Sequence, residues 1–63
     1  MNYLIIDKTA NTGNEFIGDF GDNCNLEENA AVYSSEERVI EVIKENDWEK
    51  WAITRPTDYL VNQ

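Results

Sequence analysis

Histidine is absent from this 63-residue chain, and cysteine and proline occur once each. Without histidine, the chain lacks the commonest general base and a common metal ligand. The single thiol of Cys24 cannot form an internal disulfide and fits a reducing compartment, and no Gly-rich phosphate loop of familiar spacing occurs. These absences predict a protein that is not an enzyme and that holds no metal ion and no cofactor.

Long apolar runs and basic clusters are missing as well. No run approaches the roughly 20 apolar residues of a membrane-spanning helix, and the first seven residues do not resemble a signal peptide. Direct nucleic-acid binding needs clustered Lys and Arg, whereas five such residues stand against 13 Asp and Glu. Anionic lipid would repel the same charge. We therefore expect a cytoplasmic protein that binds neither membrane nor nucleic acid directly.

The acids are concentrated in one part of the chain. No Lys or Arg lies between Lys8 and Arg38, so residues 1–37 carry eight acids and one base, a net charge of −7. Residues 38–63 carry five acids and four bases, which leaves only −1 of the total of −8. A small protein with a one-sided negative field is suited to a positively charged partner.

The hydrophobic pattern predicts an α+β fold within one domain, residues 1–63. Residues 3–7 are apolar on both faces, which is typical of a central strand, and residues 15–20 alternate as a second strand that forms an antiparallel hairpin with the first. Phe16 and Phe20 would share one face of this second strand, with Glu15 and Asp19 on the other face, ~13 Å apart. Gly13, in the turn at residues 8–14, is free to take a positive φ, and residues 21–29 form a polar loop.

A short third strand is expected at residues 30–33, followed by a helix that ends near Glu45. Ser34 with Glu37 matches a capping box, and Ser35 is an alternative cap. Asn46 would end the helix in a left-handed conformation, and the helix would turn Val39, Ile40, Val42 and Ile43 toward the sheet. A last strand over residues 48–55, with Trp51 and Ile53 on one face, would end at Pro56. The order is β-β-β-α-β, a small antiparallel sheet with one helix packed on one face.

A single helix covers only one face of a sheet. The other face would expose part of Tyr3, Ile5 and Ile17, and such apolar faces favour a partner. A chain this short buries only ~60% of its unfolded surface, so its own core is small. A two-fold homodimer is the simplest way to cover the face; the alternative is a twisted sheet covered by the C-terminal tail and side-chain stems.

Several acids are predicted to lie on regular elements. Glu37, Glu41 and Glu45 follow one another at i, i+4 and i+8, so they stack along one helix face at ~6 Å intervals. The row destabilises its own helix, because like charges repel and Glu45 opposes the dipole; a merely solvated face is the alternative. The predicted partner-binding residues are Glu15, Asp19, Asp22, Glu27, Glu28, Glu37, Glu41 and Glu45.

The small size, the acid excess, the missing histidine and the junction at residues 31–37 resemble the short acidic anti-defence proteins of bacteriophages and mobile elements. Anti-CRISPR and antirestriction proteins that act as DNA mimics are the most similar class. The resemblance implies an inhibitor that acts in the host cytoplasm on a basic, nucleic-acid-binding host protein. The alternative is a structural, assembly or regulatory module that binds through its apolar sheet face and through Trp48 and Trp51.

Overall fold

A computed structural model describes residues 1–10 and 13–61 of the chain. Its elements are β1 (Asn2–Asp7), β2 (Phe16–Ile17), β3 (Asn23–Cys24), a 3₁₀ helix (Glu27–Asn29), α1 (Glu36–Glu45) and β4 (Ala52–Thr57). The four strands form one antiparallel sheet in the order β3-β2-β1-β4, with α1 packed on one face. The predicted α+β class is confirmed.

Strand β1 is central, as its two-sided apolar pattern predicts. It pairs along its whole length with β4, from Asn2 opposite Thr57 to Asp7 opposite Ala52. On its other side Ile6 pairs with Phe16 of β2. Leu4 and Ile5 are fully buried on opposite faces because successive side chains of a strand alternate.

The second strand is shorter than predicted. The chain turns at Gly18, where Gly21 N–H donates to Gly18 O at 3.1 Å and Gly18 N–H donates to Asp22 O at 2.8 Å. The turn belongs to a hairpin between β2 and β3, so part of the predicted loop at residues 21–29 is a strand. Phe20 lies at the turn with 98% exposure, whereas Phe16 is buried, so the prediction that the two share one face of a strand is wrong.

Residues 30–33 are not a full strand, but they do reach the sheet. Tyr33 and Tyr3 exchange backbone hydrogen bonds at 2.7 and 2.9 Å, and Ala31 N–H donates to Ile17 O. The segment thus lies beside the first half of β1, where β2 does not extend. It places Tyr33 immediately before α1.

The ends of α1 differ in detail from the prediction. Ser35, not Ser34, is the N-cap, and its hydroxyl accepts from Arg38 N–H at 3.1 Å. Asn46 stays in the right-handed region, and the left-handed residue is Asp47 at φ 61°. Asp47 N–H donates to Lys44 O and Trp48 N–H donates to Ile43 O, which is a Schellman motif.

The last strand begins and ends later than predicted, because Trp48–Trp51 form turns after the Schellman motif. Trp51 packs on the helix side, whereas Ile53 lies opposite Ile6 of the other face, so the two do not share a face. Pro56 lies within β4, opposite Tyr3. Lys8 N–H donates to Trp51 O, so residue 51 directs its backbone groups toward β1. Because this direction alternates along a strand, the nitrogen of residue 56 points away from β1. A proline at this position therefore loses no hydrogen bond of the sheet.

Both faces of the sheet are buried within the single chain. On the helix side, Ile5 and Ile17 pack with Val39, Ile43 and Ala52, and Tyr3 and both tryptophans lie against them. On the other side, a second cluster is buried beneath the segment that follows β3; it comprises Leu4, Ile6, Phe16 and Ala30. The predicted exposed face is therefore wrong, and Tyr3, Ile5 and Ile17 lie beneath the helix.

Beyond β4 the chain stays near the N-terminus, since Asn2 Nδ2 donates to Tyr59 O at 2.8 Å. No further strand follows Thr57 as far as residue 61; the rest of the predicted tail, residues 62 and 63, lies outside the described residues, as do residues 11 and 12 of the first turn. Gly13 has the predicted positive φ, 88°. In the described ranges, no helix has the length and apolar character needed to cross a membrane.

Candidate functional site

The eight predicted partner-binding acids are divided between the two sides of the sheet. The helix side carries the row on α1, and the β2–β3 turn with Asp19 and Asp22 lies against Trp48 on that side. The 3₁₀ helix with Glu27 and Glu28 lies on the opposite side, over Leu4, Ile6 and Phe16. The predicted residues therefore do not form one surface.

The row on α1 is exposed but is not free of cations. Arg38 Nη1 forms an ion pair with Glu41 and lies 3.6 Å from Glu45 Oε1, while Glu37 is exposed beside them. Their side chains are about half exposed, so water screens these contacts and each pair adds little stability. Arg38 thus lowers the repulsion within the row without removing its negative field.

The turn acids lie on the same side of the sheet as α1, because the turn lies against Trp48 on that side. Burial raises the pKa of the Tyr33 hydroxyl, the negative charge of Asp19 raises it further, and the positive charge of Arg38 lowers it. Tyr33 therefore lies within electrostatic reach of both the turn and α1. Asp19, Asp22 and the row on α1 form the surface that we call the acidic face.

Glu15 lies outside this arrangement. It is exposed just before β2, and its carbonyl accepts from Asp7 N–H at 2.7 Å. The predicted pair of Glu15 and Asp19 on one strand face is wrong, because the strand ends before Asp19. The turn at Gly18 is what separates Asp19 from Glu15.

Glu27 is tied into the fold instead of being free for a partner. Its Oε2 accepts from Thr57 Oγ1 at 2.6 Å, and its Oε1 lies 3.0 Å from Arg55 Nη2. The Thr57 hydroxyl, with a smaller contribution from Arg55, lowers the pKa of the Glu27 carboxyl. Arg55 also lies over the Phe16 ring at 5.4 Å, so the network joins the 3₁₀ helix, β4 and the second core cluster.

The surroundings of the Cys24 thiol are unfavourable for nucleophilic chemistry. Cys24 Sγ contacts Phe16 O at 3.4 Å, and burial followed by the charge of Asp22 raises the thiol pKa. A raised pKa leaves little of the reactive thiolate. Within residues 1–10 and 13–61, no three Cys, Asp or Glu side chains are grouped as metal ligands would be.

Sequence reasoning missed the β2–β3 turn. It extends the second strand to Phe20, yet the two residues Asp19 and Phe20 stand between Gly18 and Gly21. A short segment bounded by glycines between two extended runs is a hairpin signal. The contact of Gly21 with Trp48, in contrast, has no signal in the sequence, because the two residues are brought together only by the packing of α1.

Comparisons of the chain with protein-family models, with curated proteins and with solved structures found no match.

Proposed function

We propose that this chain is a non-enzymatic acidic inhibitor that occupies the basic nucleic-acid-binding surface of a host protein, in the host cytoplasm, by charge mimicry. The observation that carries the proposal is the acidic face. Helix α1 and the turn together hold six acids and two bases, and the acids are exposed to solvent. A basic partner would meet an excess of negative charge there.

The spacing of the helix acids is compatible with mimicry. Residues four apart on a helix rise by ~6 Å, so the row presents charges at regular intervals, as a phosphate backbone does. A groove that binds phosphates with Lys and Arg can therefore meet Glu37, Glu41 and Glu45 in a similar order. Because α1 is fixed to the sheet by buried Val39 and Ile43, the partner does not have to order these charges.

The test begins with capture of heparin-binding proteins from a bacterial lysate on the immobilised chain. Bound proteins are eluted by salt and identified, and each is then assayed with duplex DNA in a mobility shift. We expect the parent chain to displace the DNA, with an affinity that falls steeply between about 50 and 200 mM salt. Displacement that is absent, or unchanged by salt, would contradict charge mimicry.

A pair of double variants locates the surface. Asp19→Asn with Glu41→Gln removes two charges from the acidic face, and Glu28→Gln with Asp58→Asn removes two charges elsewhere. We expect the first double variant to compete with DNA roughly tenfold less well at low salt, mainly through slower association. The second should compete within about twofold of the parent. Equal losses would show that total charge, and not this surface, decides binding.

The alternative assembly module loses its proposed sheet face, because Tyr3, Ile5 and Ile17 pack beneath α1 and the opposite face is buried within the chain as well. Its aromatic part remains, since Trp48 and Trp51 are only half-buried, with ring centroids 5.2 Å apart. Docking through these rings alone would be insensitive to salt. The salt series above therefore distinguishes the two functions.

A further inference from the structure

Phe20 is the most exposed large apolar side chain of the described residues, at 98%. It lies at the end of the β2–β3 hairpin and belongs to neither core cluster. A chain of this size has few large apolar side chains to bury, and this one adds nothing to the packing of the monomer. Its side chain is therefore available for contact with a partner.

The turn that carries Phe20 is closed by hydrogen bonds and by glycine geometry. Two backbone hydrogen bonds close it, and Gly21 takes a φ of 80° that other residues rarely adopt. A Cβ on Gly21 would lie 3.2 Å from Trp48 Cζ2, and a Cβ on Gly18 would lie 2.9 Å from Asp22 Oδ1. The aromatic ring is thus presented on a preformed support, which lowers the ordering cost of binding.

The surroundings of Phe20 are aromatic and acidic. Asp19 and Asp22 flank it in the turn, and Trp48 lies beneath the neighbouring Gly21. We call Asp19, Phe20, Asp22 and Trp48 the tip surface. An aromatic anchor with polar groups around it is the composition of many protein-binding hot spots.

We propose that the tip surface is the specificity anchor of the acidic face and that Phe20 packs against an apolar patch bordered by Lys and Arg on a protein partner. The negative charges of Asp19 and Asp22 favour a partner with Lys and Arg at this position. Nucleic acid, anionic lipid and a second acidic copy of this chain would all be repelled by Asp19 and Asp22. The inference rests on the proposed function, to which it adds the apolar character of the partner.

Two probes separate charge from anchoring. One is poly-lysine, which offers charge alone, and the other is an amphipathic helical peptide of Lys and Leu with the same number of charges. We expect Phe20→Ser to bind the Lys/Leu peptide roughly tenfold more weakly than the parent, through faster dissociation. Binding to poly-lysine should change by less than about twofold, because the charges remain.

The matched control is Leu60→Ser, since Leu60 is 80% exposed but lies outside the tip surface. It should bind both probes as the parent does, and both variants should unfold at the parent temperature because neither side chain is buried. If Phe20→Ser and Leu60→Ser bind the Lys/Leu peptide equally well and binding still depends on salt, the role of Phe20 as an anchor is contradicted, but the proposed function is not. Absence of salt-dependent binding to either probe would instead overturn the proposed function. If the parent chain self-associates and Phe20→Ser abolishes this, Phe20 contacts a second copy of the chain. That result would also contradict the proposal.

Discussion

At the scale of single residues, identical side chains have different roles according to the groups around them. Glu27 and Glu28 are neighbours, yet Glu27 is bonded to Thr57 and Arg55 while Glu28 is exposed. Charge counting cannot separate them, because the separation depends on which strand lies beside the 3₁₀ helix. The first consequence concerns stability at low pH.

We expect Glu27→Gln to lower the free energy of unfolding at pH 7 by about 1 kcal/mol, through loss of the charged contacts with Thr57 and Arg55. Because these contacts lower the Glu27 pKa in the folded state, their contribution is complete above the ordinary value of about 4.3. It is lost as the pH falls through the lower folded pKa. Urea unfolding at pH 7 and near pH 3 should show the difference from the parent shrinking, while Glu28→Gln shows none at either pH.

Asp47 adopts a backbone conformation that glycine adopts more easily than aspartate does. Its φ of 61° is left-handed, and its carboxylate lies at the negative end of the α1 dipole. We expect Asp47→Gly to raise the free energy of unfolding by about 1 kcal/mol. Asp47→Asn removes only the charge and should give a smaller gain, measured in the same urea titration. A loss of stability in Asp47→Gly would contradict the assigned Schellman motif.

At the scale of elements, the β2–β3 hairpin shows how a short turn can be essential to packing. Its two strands contain only two residues each, so their hydrogen bonds alone would not hold it in place. The contact of Gly21 with Trp48 joins the turn to the end of α1. The turn is therefore fixed by tertiary packing in addition to its own sequence.

Alanine at two glycines tests that contact. Gly13 and Gly21 have similar positive φ angles, 88° and 80°, but a Cβ on Gly13 would meet no atom within 4 Å. We expect Gly13→Ala to cost about 1 kcal/mol of stability from the backbone alone, and Gly21→Ala about 2 kcal/mol because Trp48 must also move. Urea unfolding measures both values, and tryptophan fluorescence should change only in Gly21→Ala. Equal costs would show that the contact with Trp48 is unimportant.

At the scale of the whole molecule, a net charge of −8 on 63 residues means that the folded state repels itself. At about 10 mM salt the Debye length is ~30 Å, so all the acids interact, whereas at about 150 mM it is ~8 Å. We expect the unfolding temperature to rise by several degrees between these concentrations, at about 4–8 °C per kcal/mol of relieved repulsion. The double variant Glu28→Gln with Asp58→Asn should show a smaller rise. An unfolding temperature independent of salt would contradict this account.

The predicted homodimer now needs a different surface, because the second sheet face is covered. One apolar candidate among the described residues is a groove of about 370 Å³ beside α1 at the edge of β4; its lining includes Ile40 and Ile53, which are exposed by 38% and 47%. If the dimer forms, sedimentation at micromolar concentration should give twice the monomer mass, and Ile53→Ser should return the mass to that of the monomer. A parent chain that sediments as a folded monomer would contradict the prediction.

The sequence alone determined the α+β class, the central position of β1 and the end of α1 at Glu45, because these follow from local hydrophobic periods. It also determined the excess of acids, which is a property of composition. It could not determine which face of β1 lies beneath α1, since Leu4 and Ile5 are equally apolar and only the packing of Val39 and Ile43 selects between them.

Tertiary structure also decided which acids are available to a partner. Glu27 contacts Thr57 across 30 positions of sequence, and Gly21 contacts Trp48 across 27, and no local pattern encodes either contact. The same packing leaves Phe20 in solvent. The amount of charge was thus readable from the residues, whereas its arrangement around an exposed aromatic ring arises from contacts between segments that are distant in the chain.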